Sequence, residues 1–145
     1  MGLNKLDKKG RVSVPALWRS NLISEEFSGI VAQRSDEKLA IDGYSQEYLN
    51  TLQSWLDKGD PLLERNEFEA TLLFGGSMLN FDQEGRVVIP ESFRADIDLN
   101  DEALFVGMGR RFRIWQPKAF TEYLDRANEH MRLRRLSKKL DKEED

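Results

Sequence analysis

Two short stretches of the chain place apolar residues at every second position and then stop at a proline, Arg11-Val12-Ser13-Val14-Pro15 and Arg86-Val87-Val88-Ile89-Pro90. Successive strand side chains point to opposite faces, so Val12 and Val14, like Val87 and Ile89, turn inward, while Arg11, Ser13 and Arg86 turn outward. A short strand over 3–6 and the turn Asp7-Lys8-Lys9-Gly10 precede the first stretch; Asp82-Gln83-Glu84-Gly85 precedes the second. Asp opens such turns by accepting a backbone hydrogen bond, and Gly closes them because it enters the left-handed region without a steric penalty. Each proline suits the first position of a short helix, one over 16–20 with Leu17 and Trp18 packing down, the other carrying Phe93. Alternation then predicts a hairpin in each half, 29–33 with 38–42 and 104–107 with 112–116. The unit is strand, turn, strand, short helix, hairpin.

The period changes to that of a helix between and after these units. Tyr48, Leu49, Leu52, Trp55 and Leu56 form one apolar stripe, which predicts a helical connector over 45–58 and 62–74, interrupted at Gly59-Asp60-Pro61. Pro117 starts a last helix with Phe120, Tyr123, Leu124, Ala127 and Met131 on one side; Leu133, Leu136 and Leu140 keep a register beyond it.

The unit occurs twice. Residues 6–19 return seventy-five positions later as 81–94, with six of fourteen positions identical: Asp7/Asp82, Gly10/Gly85, Arg11/Arg86, Val12/Val87, Pro15/Pro90 and Arg19/Arg94. The same offset lays Ile30-Val31 over Phe105-Val106. Each repeat occupies about 40 residues, near the size below which a single core rarely suffices, so the halves are expected to share one core about a pseudo-twofold axis. The division expected is repeat 1 over 2–46, connector over 47–75, repeat 2 over 76–119, and C-terminal helix and tail over 120–145. Open strand edges and apolar helix stripes predict a homo-oligomer.

The chain of 145 residues carries a net charge of −4, which by itself argues against a polyanionic partner. The distribution changes that picture: residues 1–20 hold five bases against one acid, 21–70 four against eleven, 71–100 two against five, and 101–145 eleven against nine. Charge so segregated gives an acidic protein a basic face. The absence of cysteine removes disulfides, a thiolate nucleophile and Cys-based zinc sites, and fits a reducing cytosol. No apolar run approaches the roughly 20 residues that span a bilayer, no signal peptide is visible, and Leu6 stands where a myristoylation signal has Ser or Thr. The one histidine, His130, lies beside Glu129 with no second histidine or cysteine, and Gly107-Met108-Gly109 lacks the third glycine of a dinucleotide loop. The expectation is a protein that is not an enzyme, with no cofactor, no metal and no membrane partner.

The doubled Asp-x-x-Gly-Arg motif, each followed by an alternating strand, proline and short helix, with Leu104-Phe105-Val106-Gly107 and Arg113-Ile114-Trp115 closing the second half, resembles the MraZ family of bacterial transcriptional regulators, of the SpoVT-AbrB superfamily. The resemblance covers nearly the whole chain. It implies a mixed α/β, mainly β fold, a swapped-hairpin AbrB-like barrel built from two tandem repeats with a helical connector and a C-terminal helix. It also implies ring-like oligomers that bind tandem boxes of double-stranded promoter DNA ahead of the division and cell-wall gene cluster, including the family gene itself, as repressors. The protein would then be cytoplasmic and nucleoid-associated. An antitoxin-like AbrB-fold protein, neutralising a toxin through the acidic central segment and autoregulating, is the second reading.

By position, the resemblance assigns DNA contact to Asp7 with Arg11 and Asp82 with Arg86. Gly10 and Gly85 read as structural turn residues. An arginine beside a rigid turn can grip a phosphate or the O6/N7 edge of guanine. Asp7 and Asp82 either orient that guanidinium or repel DNA if left unpaired. Lys5, Lys8 and Lys9 suit phosphate contacts, which position without specifying. The turns differ in charge, Lys8-Lys9 against Gln83-Glu84, so the second is the weaker anion site. Arg110-Arg111-Phe112-Arg113 reads as an exposed turn leading into a core or interface Phe, with nucleic acid as the alternative.

Overall fold

The computed structural model describes residues 1–35, 39–58 and 76–144. The first half runs β1 (Gly2–Lys5), β2 (Arg11–Ser13), α1 (Ala16–Arg19), a 3₁₀ turn (Ser20–Leu22), β3 (Gly29–Arg34), β4 (Ala40–Tyr44) and α2 (Gln46–Asp57). The second runs β5 (Ser77–Asn80), β6 (Arg86–Val88), α3 (Glu91–Asp96), β7 (Glu102–Met108), β8 (Arg111–Trp115) and α4 (Pro117–Glu144). Both hairpins form where the alternation places them, with ends displaced by one or two residues. Pro15 and Pro90 stand immediately before α1 and α3 rather than inside them, with extended ψ of 132° and 142°. The expected connector helix over 62–74 lies outside the described residues.

Six strands form one sheet in the order β1-β7-β8-β4-β3-β5, and β2 pairs with β6 as a separate two-stranded ribbon. Among the described residues every strand pairing is antiparallel, and four of the six join one repeat to the other: β1 with β7, β2 with β6, β3 with β5, and β4 with β8. The ribbon register shows the internal symmetry directly. Val12 faces Val87, Arg11 faces Val88, and Ser13 faces Arg86, so the seventy-five-residue offset maps the ribbon onto itself about the Val12–Val87 pair. The fold is mainly antiparallel sheet with helices, as expected, but the sheet is open rather than a closed barrel. The physical reason is where β2 and β6 go: after their turns they leave the large sheet and pair with each other, so β1 and β5 remain as its two edges.

The strand period sorts side chains onto two faces. Val12, Val14, Val87 and Ile89 point from the ribbon into one cluster with Ile30, Ala32, Ile41, Phe105 and Ile114 of the large sheet, Leu22 and Phe93. Trp18 covers its margin, stacked on Phe112 at 5.2 Å between ring centroids and edge-on to Phe105 at 6.1 Å. Leu17, expected to pack down, is instead 87% exposed, because a helix of four residues has only one inward side and Trp18 occupies it. On the opposite face, Val31 and Tyr44 receive Tyr48, Leu49 and Leu52 of α2. That helix starts at Ser45, whose Oγ accepts the Tyr48 amide at 3.0 Å. Helix α4 begins beside them: Gln116 Oε1 accepts the Ala119 amide at 2.7 Å, and Phe120 and Tyr123 pack on the buried Trp115. Beyond that contact α4 leaves the sheet, with Leu124, Met131, Leu133, Leu136 and Leu140 exposed.

A nearly buried ion pair ties the halves together where β4 meets β8. Asp42 of β4 faces Arg113 of β8, with Arg113 Nε donating to Asp42 Oδ1 at 2.8 Å and both side chains nearly buried, 11% and 14% exposed. Removing one member of such a pair leaves a buried charge without its partner. Asp42→Ala and Arg113→Ala are each expected to lose roughly 3–5 kcal/mol in denaturant unfolding, while an apolar pair such as Asp42→Leu/Arg113→Met loses clearly less. A loss in the double variant equal to the sum of the two single losses would show that the two charges do not act as a pair.

Candidate nucleic-acid interface

The two turns are built alike, atom for atom. In the first, the Asp7 carbonyl accepts the Gly10 amide at 3.0 Å, and Asp7 Oδ1 accepts the amides of Lys9 and Arg11 at 3.0 and 2.8 Å. Oδ2 is left to accept Arg11 Nε at 2.6 Å. In the second, Asp82 takes the amides of Gly85, Glu84 and Arg86 at 3.1, 2.9 and 2.9 Å, and Arg86 Nε at 2.8 Å. Asp is required at both places because one carboxylate must reach two backbone donors and a guanidinium together. Gly10 and Gly85 have φ of +83° and +76°, where side chains are strained. The open question about Asp7 and Asp82 is thereby decided as geometry: neither carboxylate is unpaired, and each fixes its own arginine.

A third arginine position enters that the sequence reading did not assign. Arg94 of α3 lies over Gly10 and donates from Nε to the Ile89 carbonyl at 3.0 Å; a Cβ on Gly10 would stand 2.7 Å from that Nε. In the mirrored place Arg19 of α1 lies over Gly85, where a Cβ would collide with its Nη1, and reaches the Glu84 carbonyl at 3.5 Å. Each turn is thus backed by an arginine from the other repeat. The signal was available: Arg19/Arg94 is the sixth identity of the repeat, and no local turn chemistry accounts for it.

The ribbon brings both turns to one surface. Arg11 and Arg86 are diagonal neighbours across β2 and β6, a relation that places them roughly 7–8 Å apart. They share the outer face with Ser13 and Val88, while Val12 and Val87 are buried beneath. Lys8 and Lys9 are exposed at the tip of the first turn. Lys5 stands apart from that constellation, on β1 opposite Glu102. At the second turn, Glu84 Oε2 lies 3.5 Å from Arg86 Nη2, so Arg86 meets two carboxylates and Arg11 one.

The other basic segments are arranged differently. Phe112 is buried, Arg113 is held by Asp42, and Arg110 and Arg111 are both exposed, the Arg110 guanidinium 4.9 Å from the centre of the Tyr48 ring. Arg110, Arg111, Tyr48 and Trp18 border a cleft of about 360 Å³ that contains no nucleophile paired with a base. His130 is exposed on α4. Among the described residues, no cluster of acidic, His or Cys side chains could hold a metal ion, and no helix is long and apolar enough to cross a membrane.

The turn hydrogen bonds act on ionisation. Chiefly the Arg11 amide, with the Arg11 guanidinium adding to it, holds the Asp7 carboxyl below its ordinary 3.8; the Arg86 amide and guanidinium do the same for Asp82. The Asp82 contact in turn raises the pKa of Arg86. A carboxyl whose native pKa is depressed stabilises the fold above the ordinary value and loses that contribution as pH falls through the lowered one. Asp7→Asn and Asp82→Asn are therefore expected to melt below wild type at neutral pH, with the gap closing as pH drops below 3.8. A gap that persists unchanged in acid would mean that charge plays no part in holding the turns.

The same chain can be compared with known proteins. A family model described as "MraZ protein, putative antitoxin-like" matches residues 72–141. The transcriptional regulator MraZ of Rickettsia bellii (strain OSU 85-389) is 38% identical over 135 residues, covering 92% of this chain and 90% of that protein. That of Pelagibacter ubique (strain HTCC1062) is 36% identical over 140 residues, 96% and 90% of the two chains. That of Rickettsia canadensis (strain McKiel) is 37% identical over 136 residues, 93% and 91%. With likeness of this degree over more than nine-tenths of its length, the chain belongs to the MraZ family of transcriptional regulators.

Proposed function

We propose that the protein is a sequence-specific DNA-binding regulator of repressor type, which represses the division and cell-wall gene cluster, its own gene included, by binding tandem promoter boxes as a ring-like oligomer. The observation that carries this reading is the pair of Asp-clamped arginines side by side on the outer face of the β2–β6 ribbon. Nε of each guanidinium is held by its aspartate, so Arg11 presents its two terminal nitrogens from a fixed base, while Glu84 draws on one of those of Arg86. The major groove, about 12 Å wide, admits a two-stranded ribbon. In this reading Arg11 and Arg86 meet base edges or phosphates, Asp7 and Asp82 orient them, and Lys8, Lys9 and Lys5 contact phosphates. The exchange of β1 and β5 between the repeats supports describing the fold as two interleaved, swapped hairpins. Such a regulator works in the cytoplasm, associated with the nucleoid.

A single ribbon offers few positive charges on a protein of net charge −4, so strong binding requires several protomers engaging several boxes together. The edge strands β1 and β5 and the exposed leucines of α4 supply surface for assembly. Light scattering at micromolar concentration is expected to report several protomers per particle. A monomer mass independent of concentration would remove the ring.

Arg11→Ala and Arg86→Ala are expected to leave melting and particle mass nearly unchanged while weakening operator binding by about 1–3 kcal/mol per contacted half-site where bases are read. If only phosphate is touched, operator and random DNA weaken alike and the log–log salt slope falls by about one per lost contact. Lys8→Ala and Lys9→Ala are expected to follow that second pattern. Arg11→Ala costs more than Arg86→Ala, because Glu84 already engages Arg86 and lysines flank Arg11. Full operator affinity in the Arg11→Ala/Arg86→Ala double variant would move the grip elsewhere. The antitoxin-like reading draws on the excess of acids over 21–70 and expects a toxin that co-purifies with the chain.

A further inference from the structure

We infer that the outer face of the ribbon reads two unlike half-sites, with Val88 contacting a thymine methyl group beside the base met by Arg11, and Ser13 hydrogen-bonding beside the base met by Arg86. This rests on the DNA-binding reading above and adds to it the two residues that break the symmetry. The pseudo-twofold axis through the Val12–Val87 pair carries Ser13 onto Val88. The inward positions obey that symmetry, Val12 with Val87 and Val14 with Ile89, all buried. The outward positions keep it for Arg11 and Arg86 but not for Ser13 and Val88.

Val88 has no place in the core. Its neighbours Val87 and Ile89 are 1% and 0% exposed, whereas Val88 is 52% exposed on a strand where the pleat turns it to the outside. An exposed valine alone is ordinary. What distinguishes this one is its position, directly across from Arg11 and two residues along the strand from Arg86, on a ribbon only two strands wide. Any surface that engages the two guanidiniums must also cover Val88. In the major groove the apolar group on a base edge is the C5-methyl of thymine, to which an aliphatic side chain is complementary. Ser13, across from Arg86, has a hydroxyl that can donate or accept and so suits any base. Arg11 with Val88 therefore favours a guanine next to a thymine, while Arg86 with Ser13 reads its half less strictly, the more so because Glu84 draws on Arg86 Nη2.

The test uses the intact chain and a duplex of the promoter region upstream of its gene, with the boxes located by footprinting. Replacing thymines one at a time by deoxyuridine removes only the methyl group and keeps base pairing. Wild type is expected to lose affinity at one thymine per box by roughly fourfold, the transfer value of one methyl group. Val88→Ser is expected to bind the thymine and deoxyuridine duplexes alike, at the level of wild type on deoxyuridine, with wild-type melting and particle mass. Val88→Ser that still discriminates thymine from deoxyuridine, or wild type that never does, overturns the inference. The Arg11→Ala/Arg86→Ala variant separates the two failures. If it loses operator binding while Val88→Ser keeps thymine discrimination, the ribbon is the DNA face and the Val88 assignment alone is wrong. If it binds normally, the ribbon reading itself fails.

Discussion

Neither repeat can bury its own apolar face, and the pairing of Val12 with Val87 is where that shortage is resolved. Burial is close to proportional to the apolar area withdrawn from water, and a unit of this size has too little interior to enclose one. The two repeats therefore place the inward sides of β2 and β6 over a sheet to which both contribute. The consequences run outward from that contact. β1 and β5 pair with hairpin strands of the opposite repeat, β4 meets β8 at the seam, and the Asp42–Arg113 pair sits there nearly buried. The two halves are expected to fold as a single unit, because among the described residues four of the six strand pairings do not exist within either half.

That shared core also makes the turns rigid. A four-residue turn at a sheet margin would ordinarily be loosely held, but here each is fixed from two directions. Its own aspartate ties the two ends together, and an arginine from the other repeat lies against its glycine. The glycines consequently satisfy two requirements at once, a positive φ and room for a guanidinium. Arg11 and Arg86 are held at Nε by their aspartates, so in the proposed DNA-binding reading less conformational entropy would be lost on binding. The same arrangement is what the proposed DNA-binding reading requires of an acidic protein. The Asp7 and Asp82 carboxylates are satisfied by backbone amides and by the guanidiniums themselves, and apart from Glu84 the remaining acids lie in other segments of the chain.

Symmetry of the backbone and asymmetry of the surface have separate physical origins. The buried positions of the ribbon are constrained by volume on both sides of the axis, so the repeat persists there as Val12/Val87 and Val14/Ile89. The outward positions carry no packing constraint and are free to diverge, which they do at Ser13/Val88 and at Lys8-Lys9/Gln83-Glu84. Where outward residues stay identical, as Asp7/Asp82, Arg11/Arg86 and Arg19/Arg94 do, hydrogen bonds rather than packing hold them.

The sequence by itself determined everything that depends on short-range periodicity and on the repeat: strands β2 and β6 with their inward valines, the Asp–Gly turns, both hairpins, the helix starting near Ser45 and the one at Pro117, and the sharing of one core. Those features follow from bonds and side-chain phases within a few residues, or from arithmetic on the offset. It could not decide partners between segments far apart in the chain. That β2 would pair with β6 and leave the large sheet open, that Leu17 would face solvent while Trp18 took the core, and that Asp42 would meet Arg113 all depend on long-range placement. Arg19 and Arg94 illustrate the boundary. Their identity was visible in the repeat, but their role as backing for Gly85 and Gly10 exists only across the pseudo-twofold axis, where residues 66 and 84 positions apart come into contact. Local sequence fixes which way a side chain points; only the packed structure determines what it points at.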